Sequence, residues 1–465
     1  SSSVIYLNYN DYKLLFMGDA GVGREKDILD KYNLSDIDVL KVGHHGSNTS
    51  SSENFEKGSL WKQILLFSLP LVATNVLQIL FNMSDIAVVG KFGGPNSLGS
   101  VGSTTTLVTL FTGFLIGLGN GVNALLAKFI GQKNKQSIHD TIHVSFVLSI
   151  IMGLILTLIA ELTIPWFLSI LGTQDVFFEG ATSYLRIYML GMPALAIFNY
   201  GNAVFSAMGN TRRPLIFLFC SGIINVALNL FFVIVCKLDV MGVALASIIS
   251  QYISALLIVI SIMRFKGEYK LTFAHLKLNK NIGLEVLKLG IPAGFQNSIF
   301  AIANLFIQSG VNSLPKIMVD GNSAAANADA LIYDVMAAFY VGCSTFMAQN
   351  YGAKNKSRVM KSYLVSLTYS FGAGLTLGLL LVVFGRQFLS LFTNSSEVID
   401  AGMKRIMIMG FSYGFCALMD NSIAGSRGLG KTIVPTIIVI TGSCVFRIVW
   451  IYTVFAHFKT IPSLY

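Results

Sequence analysis

Ala127-Lys128-Phe129-Ile130-Gly131-Gln132-Lys133-Asn134-Lys135 returns later in the chain as Ala348-Gln349-Asn350-Tyr351-Gly352-Ala353-Lys354-Asn355-Lys356. The two stretches lie 221 positions apart. Phe167-Leu168-Ser169 returns as Phe388-Leu389-Ser390 at the same offset. Gly209, Thr211 and Pro214 return as Gly430, Thr432 and Pro435, again 221 on. Pro70 and Asn75 return as Pro292 and Asn297, 222 on. Matches at nearly one offset mark an internal duplication. The first copy runs over about 58–265 and the second over 281–465.

Each copy consists of long apolar stretches separated by short polar loops. Eleven such stretches lie near 60–82, 97–119, 141–163, 183–207, 214–236, 240–263, 285–311, 324–347, 362–384, 401–425 and 433–457. Each supplies the ~20 residues that a helix needs to cross a bilayer. The runs are continuous rather than alternating, which selects helices over barrel strands. The expectation is an all-α polytopic membrane protein with two pseudo-symmetric lobes. The first lobe holds six helices and the second five to six. The counterpart of the sixth helix falls beyond Tyr465, so a twelfth helix is expected to be missing from this sequence.

Composition agrees. The 465 residues are 54% hydrophobic and 12% charged, against ~25% charged in soluble domains. The net charge of +10 does not call for nucleic acid, because the bases fall in alternate loops. Lys128, Lys133, Arg212, Arg213, Arg264, Lys354, Lys356, Arg427 and Lys431 follow even-numbered stretches, while Lys91, Lys237, Lys316, Arg386 and Lys459 follow odd ones. The bias places the even loops and the N-terminus in the cytoplasm. Both copies then share one orientation, which is a parallel repeat about an axis along the membrane normal. Cys220, Cys236, Cys343, Cys416 and Cys444 lie in apolar runs without disulfide or metal spacing and read as small hydrophobes.

Charged groups in the bilayer cost about 2.5–3.5 kcal/mol on insertion scales and are functional candidates by default. Asp85 ends the first apolar stretch. Asn225 and Asn229, four apart on the fifth, share one face. An acid beside two amides binds H+ or Na+ and releases it when the pocket reshapes. The competing reading makes Asp85 a helix-end residue and the asparagines interhelical glue. Asp334, Asp420 and Arg447 interrupt apolar runs in the second copy. The two acids are candidates for a direct transport role in a substrate cavity. The competing reading is internal ion pairing, since Arg447 calls for a partner. Asn75, Gln78, Gln296, Asn297 and Asn304 could line a polar cavity between the copies or tie helices together. His139 and His143 are four apart at a helix end, with no third ligand nearby in sequence.

Gly425-Ser426-Arg427-Gly428-Leu429-Gly430-Lys431-Thr432 fits the phosphate-binding pattern G-x-x-x-x-G-K-T. That loop must follow a strand. Here it closes one apolar stretch and precedes another, so it reads as a helix-helix turn, and no cofactor is expected.

Residues 1–52 have another character. Val4–Leu7 and Lys13–Met17 read as hairpin strands, followed by Gly18-Asp19 and His44-His45-Gly46-Ser47. The segment resembles the end of the metallo-β-lactamase-fold domain of ComEC-type DNA-uptake proteins. That resemblance makes Asp19 and His44 vestigial metal-ligand positions. The His-x-His-x-Asp-His cluster of that fold is absent, and two ligands do not complete a zinc site.

The remainder, over 58–465, resembles the multidrug and toxic compound extrusion (MATE) family. The resemblance is carried by Phe67-Ser68-Leu69-Pro70, Asp85-Ile86-Ala87-Val88-Val89-Gly90, the repeated Ala127–Lys135 stretch, Ser206-Ala207-Met208-Gly209-Asn210-Thr211 and Arg427–Pro435. It implies twelve helices in two lobes around a central cavity, and export of organic, drug-like cations in exchange for H+ or Na+. It implies no enzyme activity, a monomer, and a multi-pass place in a bacterial cell membrane. By resemblance, Asp85 is the acid of a cation site in the first lobe, with Asn225 and Asn229 as its partners. A seventh-helix Glu found in some members is replaced near Phe300, and Asp420 is out of register with their tenth-helix Asp. A flippase for lipid-linked or polysaccharide substrates is the alternative, and a metal-dependent hydrolase rests on residues 1–52 alone.

Overall fold

The computed structural model describes residues 4–9, 12–17, 39–42, 58–276, 279–391, 393–460 and 463. The chain divides into two units, Ser1–Gly58 and Ser59–Tyr465. In the first, strands β1 (Val4–Tyr9), β2 (Tyr12–Met17) and β3 (Val39–Val42) form one sheet. β1 and β2 pair antiparallel, Val4 opposite Met17, and β3 runs parallel to β2. The expected hairpin is present. Asp19 and His44 lie outside the described residues.

The second unit is helical. Its helices are α1 (Leu60–Phe92), α2 (Ser97–Gly131), α3 (Lys135–Ile170), α4 (Asp175–Met189), α5 (Met192–Ala207) and α6 (Arg212–Val235). There follow α7 (Asp239–Met263), α8 (Lys280–Asn312), α9 (Lys316–Gly352), α10 (Lys356–Ser390), α11 (Ser396–Gly428) and α12 (Ile433–Phe458). Among the described residues ten helices are long and apolar enough to span a membrane, or eleven if the bent pair α4 and α5 is one span. Eleven is the number the apolar stretches predict, and the all-α class is as expected.

Two details differ from the sequence reading. The fourth stretch is not one rod: α4 and α5 meet at 49°. Pro193 at the start of α5 cannot donate a helical N–H, and the chain breaks at Leu190-Gly191. The freed carbonyls are satisfied from neighbouring helices, as low-polarity surroundings demand. Thr157 Oγ1 donates to Met189 O at 2.9 Å, and Tyr252 OH to Leu190 O at 3.0 Å. The first helix also runs well past its apolar stretch, to Phe92, and stops only at Gly93-Gly94-Pro95. Asp85 therefore lies inside α1 rather than at its end.

The duplication is visible in the backbone. Lys133 and Lys354 both take positive φ, at 55° and 60°, and Gly209 and Gly430 at 82° and 80°. Asn134 and Asn355 cap α3 and α10 identically, each Oδ1 accepting a backbone N–H three residues on at 3.1 Å. The phosphate-loop-like segment is the end of α11 and a turn into α12, with no strand before it.

Small residues let the lobes approach. A Cβ on Gly117 would lie 2.4 Å from Gly294 N, and one on Gly121 2.5 Å from Gly290 N, so α2 and α8 touch backbone to backbone. Symmetry appears again at the ends of α2 and α9. A Cβ on Gly131 would meet Gln349 O at 1.9 Å, and one on Gly352 would meet Lys128 O at 2.1 Å. Phe265, Tyr269 and Leu271 of the linker between lobes are buried in the core of the first lobe, with Ile142, Tyr200 and Phe205.

Candidate functional site

Asp85 on α1 meets α6 and α7. Asn229 Nδ2 donates to Asp85 Oδ1 at 2.5 Å and to Asn225 Oδ1 at 3.2 Å. Ser247 Oγ on α7 donates to Asp85 Oδ2 at 3.1 Å. Asn225 and Asn229 are buried, Asp85 partly so. Asn229 Oδ1 is buried with no hydrogen-bond partner, a costly state unless something fills it. Tyr184 and Tyr188 of α4 stack at 5.7 Å and lie within electrostatic reach of the carboxylate. The three residues singled out in the sequence thus come together. Ser247 and the two tyrosines do not show in the sequence, because serines and aromatics on apolar helices are too common to mark a site.

The other candidates disperse. Asn75 Nδ2 donates to Asp334 O at 2.8 Å, Asn297 Nδ2 to Gly113 O at 3.0 Å, and Gln296 Oε1 accepts from Thr436 Oγ1 at 3.3 Å. These side chains tie helices together. Gln78 and Asn304 are exposed. Asp420 on α11 is buried, and its Oδ2 accepts from Tyr333 OH at 3.1 Å. Arg447 has no carboxylate within 4.0 Å among the described residues, contrary to the expected ion pair. The largely buried ion pair of the second lobe is Arg405 with Asp329, which also accepts from Tyr413 OH, while Arg405 Nη1 donates to Asn322 Oδ1 at 2.7 Å. Both charges fall within their apolar stretches, near the ends, and the sequence alone does not single them out.

His139 and His143 do gain a third histidine, His275 from the linker, with ring centroids 4.0–6.4 Å apart. Both His143 nitrogens are committed, however. Nδ1 donates to His139 O at 2.8 Å and Nε2 accepts from Thr272 N at 3.0 Å. Among the described residues no group of His, Cys, Asp or Glu is arranged to hold a metal ion.

Two helical lobes related by duplication, tied by small-residue seams and carrying a partly buried acid among amides, define a polytopic membrane transporter. The family model MatE matches the chain twice, over residues 70–231 and 292–453. The chain belongs to the MatE family. It is 25% identical over 389 residues to "Probable multidrug resistance protein YoeA" of Bacillus subtilis, covering 82% of this chain and 84% of that protein. It is 27% identical over 363 residues to "Probable multidrug resistance protein YpnP" of the same organism, covering 78% and 81%. A third relative, 23% identical over 360 residues and covering 76% and 78%, is an "FAD transporter" of Shewanella oneidensis. The fold matches a solved structure of a multidrug resistance MATE family transporter of the MOP superfamily in an outward-facing conformation. The TM-score is 0.82 at 21% identity, covering 90% of this chain and 93% of that one. A MOP superfamily transporter from Pyrococcus furiosus matches equally.

Proposed function

We propose that this chain is a secondary antiporter that exports drug-like organic cations across a bacterial cell membrane in exchange for H+ or Na+. The contact between Asp85, Asn229 and Ser247 carries the reading. A carboxylate and a hydroxyl meet in one partly buried place, beside an asparagine whose buried Oδ1 has no hydrogen-bond partner. Oxygen donors of this kind suit a hard cation, and the carboxylate alone suits a proton. A bound cation shifts the lobes between two arrangements only by binding one of them better. Asp85 joins α1, α6 and α7, so occupancy there changes how three helices of one lobe pack.

The named contacts between lobes run from Gly131 and Gln349 at the basic end to Leu110 and Ser298 near mid-helix, where Ser298 Oγ donates to Leu110 O at 3.0 Å. With the basic loops in the cytoplasm, the closed end is the cytoplasmic one, and the lobes rock about it. Gln78, Asn304 and Asp334 are polar residues available to a cavity toward the other side, Asp420 lies in the basic-end half of α11 against Tyr333, and the protein works as a monomer.

The test is Asp85→Asn in everted vesicles, with ethidium as cargo and imposed pH or Na+ gradients. Gradient-driven efflux is expected to fall at least tenfold at unchanged protein level. Efflux at the wild-type rate would remove Asp85 from coupling.

A further inference from the structure

The two lobes differ in the sign of the charge on matching helix pairs: the place of Asp85 is taken by Ile307, and a charge falls instead at the place of Asn225. In the first lobe, α1 and α6 face each other through Asp85 and Asn229. The duplication puts α8 and α12 in those positions in the second lobe, and there the charged residue is an arginine. Arg447 Nη1 donates to Asn304 Oδ1 on α8 at 3.4 Å, and its guanidinium carbon lies 6.0 Å from the centre of the Phe300 ring. Asn304 stands 222 positions after Asn82, and Arg447 222 after Asn225.

Arg447 sits on a five-residue α-helical piece, Phe446–Trp450, between two π-helical turns, Ile440–Val445 and Ile451–Phe455. Such turns often mark functional sites in helices. Near the middle of a spanning helix and half-buried, a guanidinium is stable facing an aqueous cavity rather than lipid. Its charge is not balanced locally. Asp420 feels both Arg427 and Arg447, but neither has a carboxylate within 4.0 Å among the described residues. Arg427 is itself buried, with Nε unpartnered. Among the described residues Asp334 and Asp420 are carboxylates of this lobe without an ion pair, and neither lies within 4.0 Å of Arg447, so its guanidinium stays available, opposite a first lobe whose site is acidic.

A planar guanidinium pairs with a carboxylate through two parallel N–H bonds, and Phe300 offers a face for an aromatic ring. We propose that Arg447, with Asn304 and Phe300, is an oxyanion subsite of the transport cavity. It takes the carboxylate of a zwitterionic aromatic substrate whose cationic end faces the Asp85 lobe. The proposal rests on the transporter reading above.

The experiment compares norfloxacin with its ethyl ester, which differ in the carboxylate charge. Binding of each to the purified full chain is measured by titration of ligand fluorescence. Wild type is expected to bind the acid at least tenfold more tightly than the ester. R447Q is expected to abolish that ratio, and R447K to keep part of it. Equal binding of acid and ester by wild type overturns the subsite, as does a ratio that survives in R447Q. Should R447Q fail to fold, the wild-type ratio and N304A decide. Vesicles that move neither compound while the binding ratio holds would overturn the antiporter reading and leave the subsite standing.

Discussion

Asn75 donates its side-chain amide to the backbone carbonyl of Asp334 at 2.8 Å, across the boundary between the lobes. Its repeat counterpart does the same in reverse: Asn297 donates to Gly113 O at 3.0 Å, and Gly113 stands 221 positions before Asp334. The lobes are therefore held by paired contacts about a pseudo-two-fold axis. Paired contacts of this kind open and close together, which is what a rocking mechanism needs.

Interhelical hydrogen bonds in membranes are worth about 0.6 kcal/mol on average. N75A alone is expected to shift the balance between closed and open basic ends about threefold, and N75A with N297A close to tenfold. Spin labels at Lys135 and Lys356 read this as a growing population at longer distance. An unchanged distance distribution in the double variant would remove these bonds from the hinge.

Gly131 and Gly352 bring backbone against backbone. G131A places a methyl where Gln349 O already sits, 1.9 Å away, and a carbonyl cannot step aside as a side chain does. Overpacking typically costs 1–3 kcal/mol, so melting in detergent is expected to fall by several degrees. Gly372 serves as the control. A methyl there would meet nothing within 4 Å, and G372A is expected to be neutral.

S247A separates the two coupling ions by sign. Ser247 donates to the Asp85 carboxylate, and a bond to the charged form favours that form. Its loss makes a proton bind more tightly, moving half-maximal efflux to higher pH. A sodium ion instead loses an oxygen ligand and needs a higher concentration. A shift of two- to tenfold is expected from a bond worth about 0.5–1.5 kcal/mol, and no shift of either kind would place Ser247 outside the site.

Arg405 and Asp329 form a largely buried pair, with side chains 12% and 19% exposed. Removing one partner leaves a stranded charge, which costs about 3–5 kcal/mol. R405A and D329A are both expected to lower the melting temperature sharply. The double variant R405A/D329A is expected to be less destabilised than the single ones combined.

Much of this was legible in the chain. Length and continuity of apolar runs fix the number of spans, because a bilayer core demands that many apolar residues and leaves backbone groups no partner but the helix itself. The repeat fixes the two lobes. Asp85, Asn225 and Asn229 stand out because polar groups in apolar helices are rare enough to notice. The break between α4 and α5 was half legible, since Gly191 and Pro193 are visible while the supporting Thr157 and Tyr252 are not.

Contact across the sequence was decided only in three dimensions. That Asn229 reaches Asp85, 144 positions away, and that Ser247 closes the other side of the carboxylate, depends on how three helices pack. Arg447 shows the same limit from the other direction. Its sequence calls for a salt-bridge partner, yet helix packing gives it an amide and a ring and leaves its charge unmatched. Hydrophobicity along the chain determines which segments enter the membrane. Which polar groups then face each other depends on helix rotation and crossing, which close packing of small and large side chains sets and one-dimensional order does not contain.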